Sequence, residues 1–196
     1  MFGGIIRHQG KWIQADLKRG KLRIMAPRLA RFLKLGDSIA VDGVCLTVTA
    51  HRHGVFSVDV TPETIRRTNF RWARTGWIVN LELPMRLSDR IHGHPVLGHV
   101  DGVGVVKSMI PGRSGRILNV WVPVKLAPYM AEKGSIAING VSLTIARRYG
   151  KLIQIALIPE TIRRTNFRFL RSGARVNLEV DVLARYTLGH RKYMAA

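Results

Sequence analysis

The sequence predicts an all-β protein that contains two copies of one small closed barrel. An internal repeat covers about half of each copy, short runs alternate apolar with polar residues, and about 90 residues are available for each copy. Many short strands in so few residues are typical of a sheet that closes on itself.

The repeat shows that a domain has been duplicated. Residues 36–82 align with residues 133–179 without a gap, and roughly half of the aligned positions are identical. Ser38 corresponds to Ser135 and Glu63 to Glu160, each at the same offset along the chain. Only two copies of this length are present, whereas solenoids repeat much shorter units many times.

The elements of each copy follow from its local pattern. The segment SIAVDGVCLTVT predicts two strands around a glycine turn, because β-branched residues alternate with small or polar ones. The runs VFSVDV, LIQIAL, WIVNLEL and ARVNLEVDV predict further strands. PETIRRTNF occurs in both copies and predicts a short helix, since proline and glutamate suit a first helical turn.

The domain boundaries are predicted from a polar link that contains a glycine, residues 86–93. The first barrel is expected at 1–90 and the second at 91–186, with a C-terminal tail or short helix at 187–196.

Composition argues against several classes of protein. No apolar run approaches the roughly 18 residues that span a membrane, and the N-terminus does not have the pattern of a secretory signal. Cys45 is the only cysteine, so an internal disulfide is impossible and a cytoplasmic location is expected.

The net charge is +20, from 32 Lys and Arg against 12 Asp and Glu. Such a charge favours an acidic partner such as nucleic acid. However, the basic residues are spread along the chain and aromatic residues make up only 7%, so a nucleic-acid partner is not the preferred interpretation.

Several motifs, taken in order, resemble the riboflavin synthase family: MF-x-GII, GDSIAVDGVCLTVT, PETIRRTN, GHPVLGHVDG, KGSIAINGVSLT, IPETIRRTN and VNLEVD. The resemblance covers about residues 1–186. It implies two tandem six-stranded antiparallel Greek-key barrels with short helices, and a short C-terminal helix that helps to assemble a homotrimer.

The resemblance also implies an activity. Two molecules of 6,7-dimethyl-8-ribityllumazine are converted into riboflavin and 5-amino-6-ribitylamino-pyrimidinedione by transfer of a four-carbon unit, the last step of riboflavin biosynthesis. No metal and no redox cofactor are expected. Lumazine synthase is an expected associate.

Carried over position by position, the resemblance implies two ligand pockets. The first is expected to contain Gly4, Ile5, Ile6, Cys45, Leu46, Thr47, Asp59, Val60, Thr61, Pro62, Glu63 and Thr64. The second is expected to contain Gly98, His99, Val100, Ser142, Leu143, Thr144, Ala156, Leu157, Ile158, Pro159, Glu160 and Thr161. Lys133 is expected to reach a ligand held by a neighbouring subunit, and the expected catalytic residues are Cys45, His99, Ser38, Ser142 and Asp181.

Cys45 makes the two pockets chemically different, because Ser142 stands at the same place in the repeat. By residue type alone, a free cysteine is more often a small buried hydrophobe than a reactive group. The resemblance to the family instead implies a reactive role for Cys45. His94 and His99 alone indicate a metal site only weakly, so His99 is interpreted as an acid–base or ligand-orienting group.

Two alternatives remain open from the sequence. One is a non-catalytic lumazine- or flavin-binding protein of the same fold, and retention of Cys45, His99 and Ser142 favours the enzyme over it. The other is a basic barrel that binds nucleic acid.

Overall fold

The structure is a computed structural model that describes residues 1–194. The strands of these residues form two closed antiparallel barrels of six strands each. The prediction of an all-β fold with two six-stranded barrels and short helices is therefore confirmed.

The N-terminal barrel contains the first six strands. They are β1 (His8–Asp16), β2 (Lys21–Met25), β3 (Ser38–Val41), β4 (Val44–Arg52), β5 (Val55–Asp59) and β6 (Ile78–Glu82). The barrel closes in the order β1-β2-β5-β4-β3-β6. Two short helices, α1 (Pro27–Ala30) and α2 (Pro62–Arg67), lie between its strands along the chain.

The C-terminal barrel repeats this arrangement. Its strands are β7 (Gly102–Gly112), β8 (Gly115–Trp121), β9 (Ser135–Ile138), β10 (Val141–Tyr149), β11 (Leu152–Leu157) and β12 (Arg175–Val180). The order β10-β11-β8-β7-β12-β9 again closes the sheet. Helix α3 (Pro159–Arg164) corresponds to α2, and helix α4 (Val182–Met194) follows the barrel. Residues 195 and 196 of the predicted tail lie outside the described residues.

Each barrel has its own core, because successive side chains of a strand point to opposite faces of the sheet. In β2, Leu22 and Ile24 are fully buried while the residues beside them are exposed. Phe70 is buried in the N-terminal core, and its repeat partner Phe167 is buried in the C-terminal core. They lie in 3₁₀ turns that follow α2 and α3, respectively. Phe70 also meets Trp12 edge to face, with the ring centroids 5.4 Å apart.

The chain exchanges two short segments between the barrels. Residues 2–6 precede the N-terminal barrel, yet Ile6 is buried in the core of the C-terminal barrel. Val100 precedes the C-terminal barrel, yet it packs against the core of the N-terminal barrel. The two segments pair with each other where they cross, since Phe2 N donates to Val96 O at 2.7 Å and Val96 N to Phe2 O at 3.0 Å. The barrels are thereby tied together.

A cluster of buried polar side chains lies where the barrels meet. Its members are three residues and their repeat partners, Asp42 with Asn139, Asn69 with Asn166, and Asn80 with Asn177. Asp42 Oδ1 accepts hydrogen bonds from Asn80 N at 2.8 Å and from Asn166 Nδ2 at 2.9 Å. The bond from Asn166 crosses from one barrel to the other, so the cluster fixes their relative orientation.

Asp42 is the one acid in this cluster. Burial raises the pKa of its carboxyl to about 7, although hydrogen bonds from Asn80, Asn166 and Asn69 act in the opposite direction. Asn139, at the same place in the repeat, carries no charge. The junction therefore contains a carboxyl group whose pKa is raised toward neutral pH.

Candidate active site

The first candidate site lies on the face of the β3–β4 hairpin that carries Cys45. Cys45 is half-buried and pairs with Ala40, while Ser38 pairs with Thr47 and both of these are exposed. The segment around Gly98 crosses this face, because Cys45 N donates to Gly98 O at 2.9 Å. His99 follows that contact and is exposed. Four predicted site residues, Ser38, Cys45, Thr47 and His99, therefore lie in one region, which we call the Cys45 site.

The second candidate site is the equivalent face of the β9–β10 hairpin, which carries Ser142. Ser142 pairs with Ala137, and the exposed Thr144 pairs with Ser135. The N-terminal segment crosses this face, because Ser142 N donates to Gly4 O at 2.8 Å. We call this region the Ser142 site.

The predicted grouping of the two pockets is wrong for the segments that contain Gly4 and Gly98. Residues 4–6 lie with the Ser142 hairpin, and residues 98–100 lie with the Cys45 hairpin. The physical reason is the segment exchange, which carries each segment across to the other barrel before its own first strand begins. Sequence order alone places each segment with the strands that follow it.

The segments that begin α2 and α3 lie beside these faces. Val48 of β4 pairs with Val58 of β5, which brings residues 59–64 to the Thr47 end of the Cys45 site. Ile145 of β10 pairs with Ile155 of β11, which does the same for residues 156–161 and Thr144. Each predicted run is therefore adjacent to the hairpin of its own barrel.

The two helix starts differ chemically. Thr61 caps α2, since its Oγ1 accepts a hydrogen bond from Thr64 N at 3.1 Å. Ile158 takes its place before α3, makes no side-chain cap and is 58% exposed. The start of α2 thus offers a hydroxyl where the start of α3 offers an apolar side chain.

The remaining predicted residues divide by exposure. The side chains of Leu46, Val60 and Leu157 belong to the barrel cores, so these residues can present only backbone groups to a ligand. Half-buried members are Glu63, Thr64, Leu143, Thr161 and Asp181. Exposed members are Ile5, Asp59, Pro62, Lys133, Ala156, Pro159 and Glu160.

Two glutamates that sequence reasoning did not assign to the site hold the exchanged segments in place. Glu82 accepts hydrogen bonds from the backbone N–H groups of Gly3, Gly4 and Ile5, at 3.0, 3.1 and 3.2 Å. Glu179 accepts from Leu97 at 2.7 Å and Gly98 at 3.0 Å. Burial raises the pKa of both carboxyls, and these amide donors oppose that rise. Their place at the end of each copy of VNLE was the available signal.

His94 is the third residue that the sequence did not assign to the site. It is buried, and its Nδ1 lies 2.7 Å from Ser142 Oγ. Burial lowers the pKa of the imidazole, and the nearby charge of Asp181 opposes this effect. Within residues 1–194 the buried Nε2 has no hydrogen-bond partner. A neutral histidine paired with a serine can act as a base, so the Ser142 site has an acid–base group.

The repeated arginines lie on exposed helix faces. Arg66 and Arg67 form ion pairs with Glu63, as Arg163 and Arg164 do with Glu160. Within the part of the chain that the structure describes, no group of three or more His, Cys, Asp or Glu is placed to hold a metal ion. Among the same residues, no helix combines the length and apolar character needed to cross a bilayer.

Two barrels with one equivalent candidate site each define a duplicated-barrel protein. A family model described as the lumazine binding domain matches residues 3–84 and 97–181. A riboflavin synthase of Actinobacillus pleuropneumoniae is 38% identical over 95% of this chain and 87% of its own length. A riboflavin synthase of Mycobacterium bovis is also 38% identical, over 95% of this chain and 96% of its own length. The chain belongs to the riboflavin synthase family.

Solved structures agree on the fold. LumP in complex with 6,7-dimethyl-8-(1'-D-ribityl) lumazine superposes with a TM-score of 0.82 over 92% of this chain and 99% of that one. LumP in complex with riboflavin superposes with a TM-score of 0.83 and the same coverage. The sequence identity is 24% in both cases, so this similarity concerns the fold alone.

Proposed function

We propose that this chain is a riboflavin synthase that converts two molecules of 6,7-dimethyl-8-ribityllumazine into riboflavin and 5-amino-6-ribitylamino-pyrimidinedione. The observation that carries the proposal is the pair of equivalent hairpin sites in a chain of this family, one with Cys45 and the other with Ser142 and His94. Two copies of one binding fold suit a reaction between two copies of one ligand.

Orientation supplies a large part of the proposed rate enhancement. Aligned reactants gain roughly 7–11 kcal/mol of barrier reduction over the same groups free in solution. Both exchanged segments are fixed by backbone hydrogen bonds to the site hairpins and to Glu82 and Glu179, so these segments are held in position before a ligand binds. Pre-formed sites lose little free energy to ordering on binding.

The second contribution is proton transfer at the Ser142 site. The four-carbon transfer requires removal of a proton from the 7-methyl group of one lumazine. His94 is neutral because burial lowers its pKa, and its Nδ1 contacts Ser142 Oγ. In the proposed mechanism Ser142 contacts the ligand and His94 accepts the proton, directly or through the serine hydroxyl. Cys45 and His99 act on the other lumazine.

The proposed assembly is a cytoplasmic homotrimer, in which the Cys45 site of one subunit faces the Ser142 site of the next. The domain limits 1–90, 91–186 and 187–196 belong to this proposal, as does association with lumazine synthase. Lys133 supports it by position, because it is exposed in the turn before β9, with a positive φ of 66°.

Riboflavin formation from purified protein and 6,7-dimethyl-8-ribityllumazine, followed by absorbance, tests the proposal. We expect turnover, and we expect Cys45→Ala to lower it by about 10²-fold, because proton-handling groups contribute roughly 10²–10⁴-fold. Tight lumazine binding without product would replace the enzyme with a non-catalytic binder. Steeply salt-dependent nucleic-acid binding, with neither lumazine binding nor turnover, would favour the basic barrel that binds nucleic acid.

Replacing His94 by glutamine is expected to lower kcat by about 10²-fold while leaving lumazine binding nearly unchanged, because the amide cannot accept the proton. His92→Gln is the matched control, since His92 is exposed and two residues away. In the wild type, kcat should fall on acidification through a pKa below the usual histidine value. A wild-type pH profile in the His94→Gln variant would contradict this role.

A further inference from the structure

The duplication creates two equivalent grooves between the barrels, and they differ in one charged position. The first, which we call the Arg7 groove, is a cavity of about 630 Å³ lined by Arg7, His8, Arg28, Arg163 and Arg164. The second, the Asp101 groove, is a cavity of about 370 Å³ lined by Asp101, Lys125, Arg66 and Arg67. In the Arg7 groove, α3 of the C-terminal barrel lies beside the start of β1. In the Asp101 groove, α2 of the N-terminal barrel lies beside the start of β7.

The residues of the two grooves correspond through the repeat. Arg163 and Arg164 of α3 take the place of Arg66 and Arg67 of α2, and Arg28 takes the place of Lys125. Arg7 follows Ile6 as Asp101 follows Val100, so an arginine in one groove stands where the other has an aspartate. This one difference changes the local charge by two units.

In the Asp101 groove, Glu63 pairs with Arg66 and Arg67, and the aspartate has a basic partner of its own. Asp101 forms an ion pair with Arg185 of α4, with Nη2 to Oδ2 at 2.8 Å, and its Oδ2 also accepts from Val180 N at 2.9 Å. In the Arg7 groove, Glu160 pairs with Arg163 and Arg164. Within residues 1–194, Arg7 and Arg28 form no ion pair. The carboxylate whose charge Arg7 does influence, Glu82, already accepts three backbone hydrogen bonds.

The pKa of His8 is affected by the nearby arginines. Burial lowers the pKa of its imidazole, and the positive charges of Arg7 and Arg31 lower it further. Uncompensated arginines that line one cavity repel each other unless an anion lies between them. Guanidinium groups also suit phosphate, because their planar N–H donors can contact two oxygens at once.

We propose that the Arg7 groove is a binding site for a phosphoryl group, carried either by free phosphate or by a phosphomonoester. The site borders the segments that hold Ile6 and Thr161, so an anion there bridges the start of β1 to the end of α3. Binding of an anion at this site would account for some of the basic residues that give the chain its high positive charge.

The test is calorimetric titration of the full chain with inorganic phosphate and, separately, with ribose 5-phosphate, at an ionic strength held constant with sodium chloride. We expect saturable binding to one site. Arg7→Asp copies the other groove and should weaken binding by about 10-fold or more, as expected for loss of a charge-assisted contact. Arg28→Ala should weaken it in the same direction. Lys125→Ala, the matched control in the Asp101 groove, should change it less than about 2-fold.

The outcomes are distinct. Equal binding of both probes indicates a site for the free anion, and tighter binding of ribose 5-phosphate indicates an organic phosphate; both support the site. Phosphate should also raise the pKa of His8, measured by NMR, which reports on the groove even if Arg7→Asp does not fold. Equal losses in Arg7→Asp and Lys125→Ala, or no binding at constant ionic strength, would overturn the proposal. No lumazine enters the assay, so its result is independent of the enzymatic activity.

Discussion

Replacing Gly98 by alanine is expected to lower riboflavin formation by about 10²-fold or more. Gly98 has a φ of +82°, and a Cβ at this position would lie 2.5 Å from Cys45 Cβ and 2.8 Å from Cys45 N. The segment must therefore move away from the Cys45 site, which breaks the hydrogen bond from Cys45 N to Gly98 O. A displacement of about 1 Å at a reacting centre is enough for a loss of this size.

Gly173→Ala is the matched control for this prediction. Its φ is +83°, almost the same, but no heavy atom lies within 4 Å of the place that an alanine Cβ would occupy. The control should lose about 1–2 kcal/mol of stability from backbone strain and keep its activity. Steady-state kinetics and thermal unfolding of both variants separate the two effects. Equal activities would show that the contact between Gly98 and Cys45 does not position the site.

Replacing Asp42 by asparagine is expected to stabilise the protein at neutral and higher pH, and to have little effect near pH 4. The pKa of Asp42 is raised from 3.8 to about 7 in the fold, so the folded state favours the protonated carboxyl. The stability that this protonated group contributes is fully present below pH 3.8 and is lost as the pH rises to about 7. Asparagine does not ionise, so the variant does not lose this stability as the pH rises. Above pH 7 its free energy of unfolding should exceed that of the wild type by an amount on the order of 4 kcal/mol.

The repeat supplies the reverse experiment. Asn139 has the same φ of 45° as Asp42 and lies in the matching environment. Asn139→Asp should therefore destabilise the protein above pH 7 and leave it nearly unchanged near pH 4. Denaturant unfolding at pH 4, 6 and 8 measures both variants. If the stability of Asp42→Asn relative to wild type did not change with pH, the carboxyl at the junction would not be the titrating group.

The sequence contains most of the information for the barrels. Alternating β-branched residues predicted the β3–β4 hairpin, and a repeat without gaps predicted that β9–β10 has the same structure. Local pattern determines these elements because adjacent antiparallel strands pair through a short turn. The short helices were predicted for the same reason, since Pro62 and Pro159 occupy the first turn.

The candidate site was less predictable, because its parts come from distant residues. Gly4 contacts Ser142 and Gly98 contacts Cys45 because two segments cross from one barrel to the other. A local sequence pattern does not indicate such a crossing. His94 lies outside the repeated segments, and its contact with Ser142 spans 48 residues. The role of Glu82 and Glu179 also depends on the folded path of the segments they hold.

The segment exchange determines the order in which the sites can be completed during synthesis. Residues 2–6 are synthesised before the C-terminal barrel, so Ile6 has no core to enter until that barrel exists. Likewise, the Cys45 hairpin makes its contact with residues 96–100 only after those residues have been synthesised. Each half of the chain therefore depends on the other to cover its exchanged segment, although each barrel has a core of its own. A separately produced N-terminal half would leave its first residues without a partner, and a second copy of that half could satisfy them by a reciprocal swap.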